Sequence, residues 1–358
     1  MHPALNTALQ DRLGCRVPII QTAMGWIATP ELVAATANAG GFGFLAGATI
    51  PPKEIEAAIV KTKSLTNRPF GLNFHMYLPG ADEVTDLVLK HGVKAVSYGR
   101  GPSKKMVQSL KDAGVVCIPT VGAVKHAVKA ADLGADIIVI QGNEGGGHTG
   151  SVPTSLLLPQ VLDAVKVPVV AAGGFRDGRG LVAALAFGAV GIAMGTRFLL
   201  TSDSPVPRAT LDQYLAAEVD EIIVSTKLDG LPQRMILNDV LRRLEQTGPL
   251  GLIWLGMRSG LAFRKLTGLS FFGLMQSALA MARSSGMTLG QTLMAANAPV
   301  LIQRSVVEGR PAEGVLPSGQ VAGVIDDLPS CKDLIDRIVA EAEQRLAVLN
   351  PGAAPTQA

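Results

Sequence analysis

The chain has 358 residues, of which 48% are hydrophobic, 17% charged and 4% aromatic, with a formal net charge of +3. That is enough chain to bury an ample core as one large α/β domain, with or without an inserted subdomain. The composition excludes a disordered chain, and so few charges and aromatics leave no electrostatic footprint for nucleic acid.

Cys15, Cys117 and Cys331 are odd in number, widely spaced and without a CxxC pair. A disulfide framework and a cysteine zinc site are therefore not expected, and no metal is expected. The opening Met1-His2-Pro3-Ala4 has no charged region followed by an apolar run. No signal peptide is expected, and a reduced cytoplasm fits. The uncharged run at 180–196 holds four glycines; it reads as a buried helix-to-strand piece rather than a membrane span. The sequence admits a homodimer.

Residues 17–21 read as a first strand, followed by Thr22-Ala23-Met24-Gly25. Thr29-Pro30-Glu31 then opens a helix, with Thr as cap and Pro at the first position. Residues 40–45 form a second strand, 51–63 a helix, and 70–76 a third strand. Residues 84–91 are helical, 95–98 a fourth strand, 103–113 helical, and 115–120 a fifth strand. A helix at 123–133 precedes an apolar, β-branched sixth strand that begins at Asp136 and ends at Gln141. Residues 167–174 are a seventh strand, 178–187 a helix, and 190–195 an eighth strand. Eight strand-then-helix units imply a TIM (β/α)8 barrel. A doubly wound sheet would need a GxGxxG turn after its first strand, and Thr22-Ala23-Met24-Gly25-Trp26 lacks it.

After about residue 210 the rhythm changes. Residues 211–310 carry few strand signals and many Leu, Met and Ala at helical spacing. They are expected to form a helical insertion covering the C-terminal face of a barrel built from 1–210. Residues 311–350 then return to the barrel and close with an amphipathic helix. From Gln246 to Val307 there is no Asp or Glu, while Arg258, Arg264, Lys265, Arg283 and Arg304 occur. Such a surface is either a solvated helix face or one that meets an anion.

The chemistry gathers around 141–150. Gln141 leads into a loop with five glycines and one histidine, His148. Gly lets backbone come close to a ligand, and its N–H groups make an anion-binding concavity. In TIM barrels a phosphate often binds after strands seven and eight. Here Gly173-Gly174 and Gly195-Thr196 stand at those places, and their N–H groups suit a phosphate. Asn73 and Gln141, at or near strand ends three and six, each offer a donor and an acceptor. They suit the edge of a ring with mixed N–H and C=O groups, as a flavin has. A histidine that titrates near neutral pH suits a base, and His148 is the candidate. His75, at the end of strand three, is a second candidate. His91 and His126 fall on helices and read as structural.

With these residues in hand, the chain resembles the flavin mononucleotide-dependent nitronate monooxygenase (2-nitropropane dioxygenase) superfamily over nearly its whole length. The marks are Gln141-Gly142 with Gly146-Gly147-His148, then Ala171-Ala172-Gly173-Gly174, Met194-Gly195-Thr196-Arg197-Phe198, and Ser318-Gly319-Gln320. The resemblance implies FMN, lined by Ala23, Met24, Gly25, Asn73, Gln141, Gly146, Gly147, Gly173, Gly174, Gly195, Thr196, Gly319 and Gln320. It places the family's base on His148.

Further stretches, among them Glu144 to Gly150, Phe175-Arg176-Asp177-Gly178-Arg179-Gly180, Leu293-Met294-Ala295-Ala296-Asn297 and Asp326-Asp327-Leu328-Pro329-Ser330-Cys331, resemble the actinobacterial branch that degrades steroid C and D rings. That branch implies dehydrogenation of a hydroxylated methyl-oxo-octahydro-indene carboxyl-CoA. Gly145, where Ala is usual, and the acid-free basic insertion depart from ordinary nitronate monooxygenases. CoA carries phosphates, and arginine binds phosphate with a planar fork. Arg258, Arg264, Lys265 and Arg283 are therefore candidate contacts to a CoA thioester, with His75 at the substrate. The alternatives are oxidation of alkyl nitronates with O₂, an NAD(P)H-dependent enoyl-thioester reductase, and a non-enzymatic flavin or phosphate binder.

Overall fold

The structure, a computed structural model, describes residues 1–76, 80–99, 102–248 and 297–349, with 251, 252, 254–256, 259 and 294 between them. Short β-branched runs with no polar face can satisfy their backbone only inside a sheet covered on both sides. The chain solves this with a closed barrel. Its strands are β1 (Ile19–Gln21), β2 (Phe42–Leu45), β3 (Gly71–Asn73), β4 (Ala95–Tyr98), β5 (Val116–Val121) and β6 (Ile138–Gln141). After β7 (Gly147–His148), which lies outside the barrel, come β8 (Val169–Ala172) and β9 (Ile192–Met194). The eight barrel strands pair in parallel in the order β1-β2-β3-β4-β5-β6-β8-β9, and β9 returns to β1.

Side chains alternate in and out along each strand. Ile20, Phe42, Phe44, Ala95, Ile118, Val139, Val170, Ala172 and Ala193 fill the interior. The Phe42 and Phe44 rings meet edge to face, with centroids 5.2 Å apart. Leu9 and Leu13 of helix Ala8–Leu13 join that interior cluster. Thr7 Oγ1 donates to the carbonyl of Val190 at 2.6 Å, ahead of β9. The helix thus stoppers the N-terminal end of the barrel. Continuing the alternation upward puts Thr22, Asn73, Ser97, Gln141 and Gly195 at the C-terminal end. The apolar filling stops there, and a polar, glycine-lined mouth begins.

The stretch 211–310 departs from the expected all-helical insertion. It contains β10 (Ile222–Ser225) and β11 (Gln233–Ile236), an antiparallel hairpin that pairs on to β7. The reason is local: Ile222-Ile223-Val224 is apolar and β-branched, and Asp229-Gly230 supplies the turn, with Gly230 at φ +83°. Helices Asp239–Gln246 and Asn297–Val306 do follow. The helix expected to close the chain runs from Cys331 to Leu349 and packs on helix Gly178–Phe187. No described helix is long and apolar enough to cross a membrane.

Leu13 is fully buried in the stopper, whereas Leu349 is 71% exposed. Leu13→Ala should cost about 2–5 kcal/mol in a denaturant titration. Leu349→Ala should stay within about 0.5 kcal/mol. Equal midpoints for the two would show that the stopper does not seal the barrel.

Candidate active site

Five segments meet at the barrel mouth, and glycine lets them touch. A Cβ placed on Gly146 would lie 2.5 Å from the Gly319 nitrogen, so only glycine allows the loop after β6 to pack on the return loop. Gly319 N–H in turn donates to Thr196 Oγ1 at 2.8 Å, and Gln320 N–H donates to the Glu144 carbonyl at 2.9 Å. Gly195 lies beside Thr22 Oγ1 and Met24 Sδ, where a Cβ would come within 3.0 and 3.5 Å. Gly173 and Gly174 stand at φ +103° and +83°, a region costly to other residues. Gly174 faces the Glu144 side chain. The structure therefore brings Met24, Gly146, Gly173, Gly174, Gly195, Thr196, Gly319 and Gln320 into one cradle. Ala23 and Gly25 lie on the same first loop, which ends in Trp26 at φ +62°, an uncommon backbone state for a bulky residue.

The two amides stand where the alternation puts them. Asn73 Nδ2 donates to the Ser97 carbonyl at 2.9 Å and to Ser97 Oγ at 3.2 Å. Gln141 Nε2 donates to the His148 carbonyl at 2.9 Å. Their N–H groups are committed to protein, so their oxygens are the groups left to accept from a ligand. A Cβ on Gly145 would lie 2.6 Å from Gln141 Nε2, so glycine there gives Gln141 its room. Acceptors at strand ends beside a glycine cradle fit a flavin, whose ring offers an N–H and whose tail carries phosphate. Among the described residues no three His, Cys, Asp or Glu side chains gather as a metal site. The three cysteines are free; burial pushes each thiol up to about 12 and keeps it protonated.

His148 sits on β7 with its side chain 59% exposed. Its Nε2 lies 2.9 Å from Oδ2 of Asp229, on the turn between β10 and β11. His75 faces the same mouth. Its surface is exposed, yet desolvation by the surrounding residues first, and then the like charge of His148, lower its pKa from the ordinary 6.5. Arg258, Arg264, Lys265 and Arg283 lie outside the described residues. A separate cavity of about 360 Å³, lined by residues including Val240, Arg243, Leu301 and Arg304, shares no residue with the cradle. Asn73, Gln141 and His148 stand on the strand ends and loop that carry the cradle, and together with it they make the candidate active site.

Sequence reasoning missed Asp229, Gln233, Arg234 and Glu144. Gln233 and Arg234 belong to β11 and face Gly147 and His148 across the ladder. Glu144 accepts from Thr154 N and Oγ1, at 3.0 and 2.8 Å, and so caps helix Thr154–Ala164. The turn pair Asp229-Gly230 between two β-rich runs was the available signal for the hairpin.

A family model described as nitronate monooxygenase matches residues 6–86 and 80–341. A protein of Rhodococcus jostii is 51% identical over 345 residues, covering 96% of this chain and 98% of its own. One from Mycobacterium tuberculosis is 47% identical over 341 residues, covering 94% and 96%. Both are named (3aS,4S,5R,7aS)-5-hydroxy-7a-methyl-1-oxo-octahydro-1H-indene-4-carboxyl-CoA dehydrogenase. The structure of FabK from Thermotoga maritima superposes with TM-score 0.77 at 29% identity, covering 97% of this chain and 99% of that one.

Two outcomes follow from the site. Gly146→Ala should purify with little or no flavin while remaining folded, as read by absorbance and circular dichroism; full flavin content would show that the packing on Gly319 is not needed. The depressed His75 pKa means the native state refuses a proton that the unfolded chain accepts below about pH 6.5. Stability is therefore lost as pH falls through that value, and His75→Gln should lose less between pH 7 and 5. Parallel stability curves for the two proteins would refute it.

Proposed function

The chain belongs to the nitronate monooxygenase family, a family of flavin-dependent oxidoreductases, and from that premise we propose that it is a cytoplasmic FMN-dependent dehydrogenase of a steroid-derived hydroindane carboxyl-CoA. One observation carries the reading. His148 stands exposed on the loop that carries the glycine cradle, in a chain with near full-length likeness to two enzymes named for that reaction.

In this reading Asn73 and Gln141 hold the ring edge of FMN with their oxygens. The cradle amides around Gly173, Gly174, Gly195 and Thr196 hold its phosphate. Once bound, FMN supplies the acceptor for a hydride equivalent. The protein's own part is proton chemistry. His148 takes the acidic hydrogen next to the thioester carbonyl, the α C–H bond breaks, and its electron pair becomes the new C=C bond as hydride leaves the neighbouring carbon. His75, kept neutral by its surroundings, adds no charge that would oppose a proton arriving at His148. The described hairpin of the insertion lies against β7, and the basic residues of the acid-free stretch from Gln246 to Val307 are the proposed partners of the CoA phosphates.

The family match supports a second reading, oxidation of alkyl nitronates with O₂. Anaerobic mixing separates the two. Bleaching of the yellow protein by a hydroindane carboxyl-CoA, and not by a nitronate, is expected. The reverse result would make it a nitronate monooxygenase. His148→Ala should retain flavin and lose bleaching by at least about 10²-fold; full activity would remove His148 from the mechanism.

A further inference from the structure

His148 belongs to the barrel loop by sequence, but what holds its ring belongs to the insertion. Asp229 Oδ2 lies 2.9 Å from His148 Nε2, and the Asp229 side chain is only 7% exposed against 59% for the histidine. Its carboxylate is seated by two more donors. Leu231 N–H reaches Oδ1 at 3.1 Å, and Gln233 Nε2 reaches Oδ2 at 2.5 Å. Gln233 is 2% exposed, so this donor is fixed in the interior.

The backbone of His148 is held from both sides as well. It pairs with Gln233 across the β7–β11 ladder, and its carbonyl accepts from Gln141. One residue further along β11, Arg234 ties the hairpin to the loop. Its Nε donates to the Asn143 carbonyl at 2.9 Å and its Nη1 to the Ile222 carbonyl at 2.8 Å.

Gln233 Nε2 also lies 3.2 Å from His148 Nε2 but makes its closer bond to Asp229 Oδ2. A carboxylate oxygen and a lone-pair nitrogen are both acceptors and repel at 2.9 Å, so the proton between them sits on Nε2. A neutral imidazole has one N–H, and Nδ1 is then its lone-pair nitrogen. Taking His148 as the base, as the preceding section does, we propose that Asp229, seated by Gln233, is a positioning residue. It fixes the Nε2–H tautomer of His148, so that Nδ1 receives the substrate proton. As Nδ1 takes that proton the ring becomes a cation, and the Asp229 carboxylate already bonded to Nε2–H stabilises it. The barrel supplies the cradle, and the inserted hairpin aims the base.

The test uses flavin-loaded enzyme with ¹⁵N-labelled histidine. The His148 signal is assigned by its loss in His148→Ala. Asp229→Asn keeps the shape but offers an N–H to Nε2, which favours the opposite tautomer. The native enzyme should show His148 protonated at Nε2, and Asp229→Asn should show it protonated at Nδ1. The variant should lose about 10²- to 10⁴-fold in kcat, the scale known for the matching change in a serine-protease triad. KM and flavin content should stay within about threefold.

Gln233→Met removes the donor to Oδ2 together with its longer approach to His148 Nε2 and serves if Asp229→Asn does not fold; a fall of about tenfold in kcat is expected from the lost hydrogen bond, with His148 still protonated at Nε2. An unchanged tautomer or native kcat in Asp229→Asn overturns the proposal, as does native kcat in Gln233→Met. So does a loss confined to flavin content or stability. Full turnover by His148→Ala would instead sink the base assignment itself. An inactive His148→Ala beside a fully active Asp229→Asn would sink only this inference.

Discussion

The loop from Gln141 to Thr154 meets two opposed demands. It must bring bare backbone against the return loop, which needs residues without side chains, and it must hold an imidazole in one orientation, which needs anchors. Glycine satisfies the first demand and makes the second harder, because a glycine-rich loop has much conformational freedom to lose. The anchors are therefore supplied from elsewhere. Glu144 is locked on to the start of helix Thr154–Ala164, Gln141 reaches forward to the His148 carbonyl, and β11 pairs with β7. Among the described residues, the hydrogen-bond partners of the His148 ring, Asp229 and Gln233, both belong to the hairpin.

The same logic explains two arginines in the interior. Arg234 spans Asn143 and Ile222, joining loop to hairpin, and burial lowers its pKa. Arg197 is 3% exposed and grips Asp327 Oδ1 at 2.8 Å and the Asp327 carbonyl at 3.0 Å. It thereby ties the stretch after Gln320 to the helix that follows β9, and keeps Ser318-Gly319-Gln320 against the cradle. Arg197 pairs with a carboxylate that is 35% exposed and Arg234 with neutral oxygens, and a buried charge so held adds little net stability. Their value here is registration: each fastens a segment that carries cradle residues.

Much of this was legible in the sequence. The barrel strands are buried on both faces, so they stand out as apolar runs. The fourth strand at 95–98 and the helix at 178–187 were read at their observed limits. Other strands are shorter than their apolar runs, as at 70–76, because parallel pairing stops at Asn73 and the chain turns into the mouth. The glycines of the loop after β6 were legible as close-approach positions, since a Cβ at Gly146 would meet Gly319 and one at Gly145 would meet Gln141. The hairpin was not. Its strands are four residues long, and β11 buries Gln233 and Arg234, which breaks the polar–apolar alternation that marks a strand. The partner of His148 was equally hidden, since Asp229 is 81 residues away and only the fold brings them together.

The account turns on His148 as the group that takes a proton from the carbon beside the thioester. Hydrogen exchange reads that step without turnover. A saturated hydroindane carboxyl-CoA is incubated anaerobically with the enzyme in D₂O, and its mass is followed. The account predicts deuterium entering at the α carbon with the native enzyme and not with flavin-loaded His148→Ala. Undiminished exchange in that variant would contradict it and move the base elsewhere in the mouth.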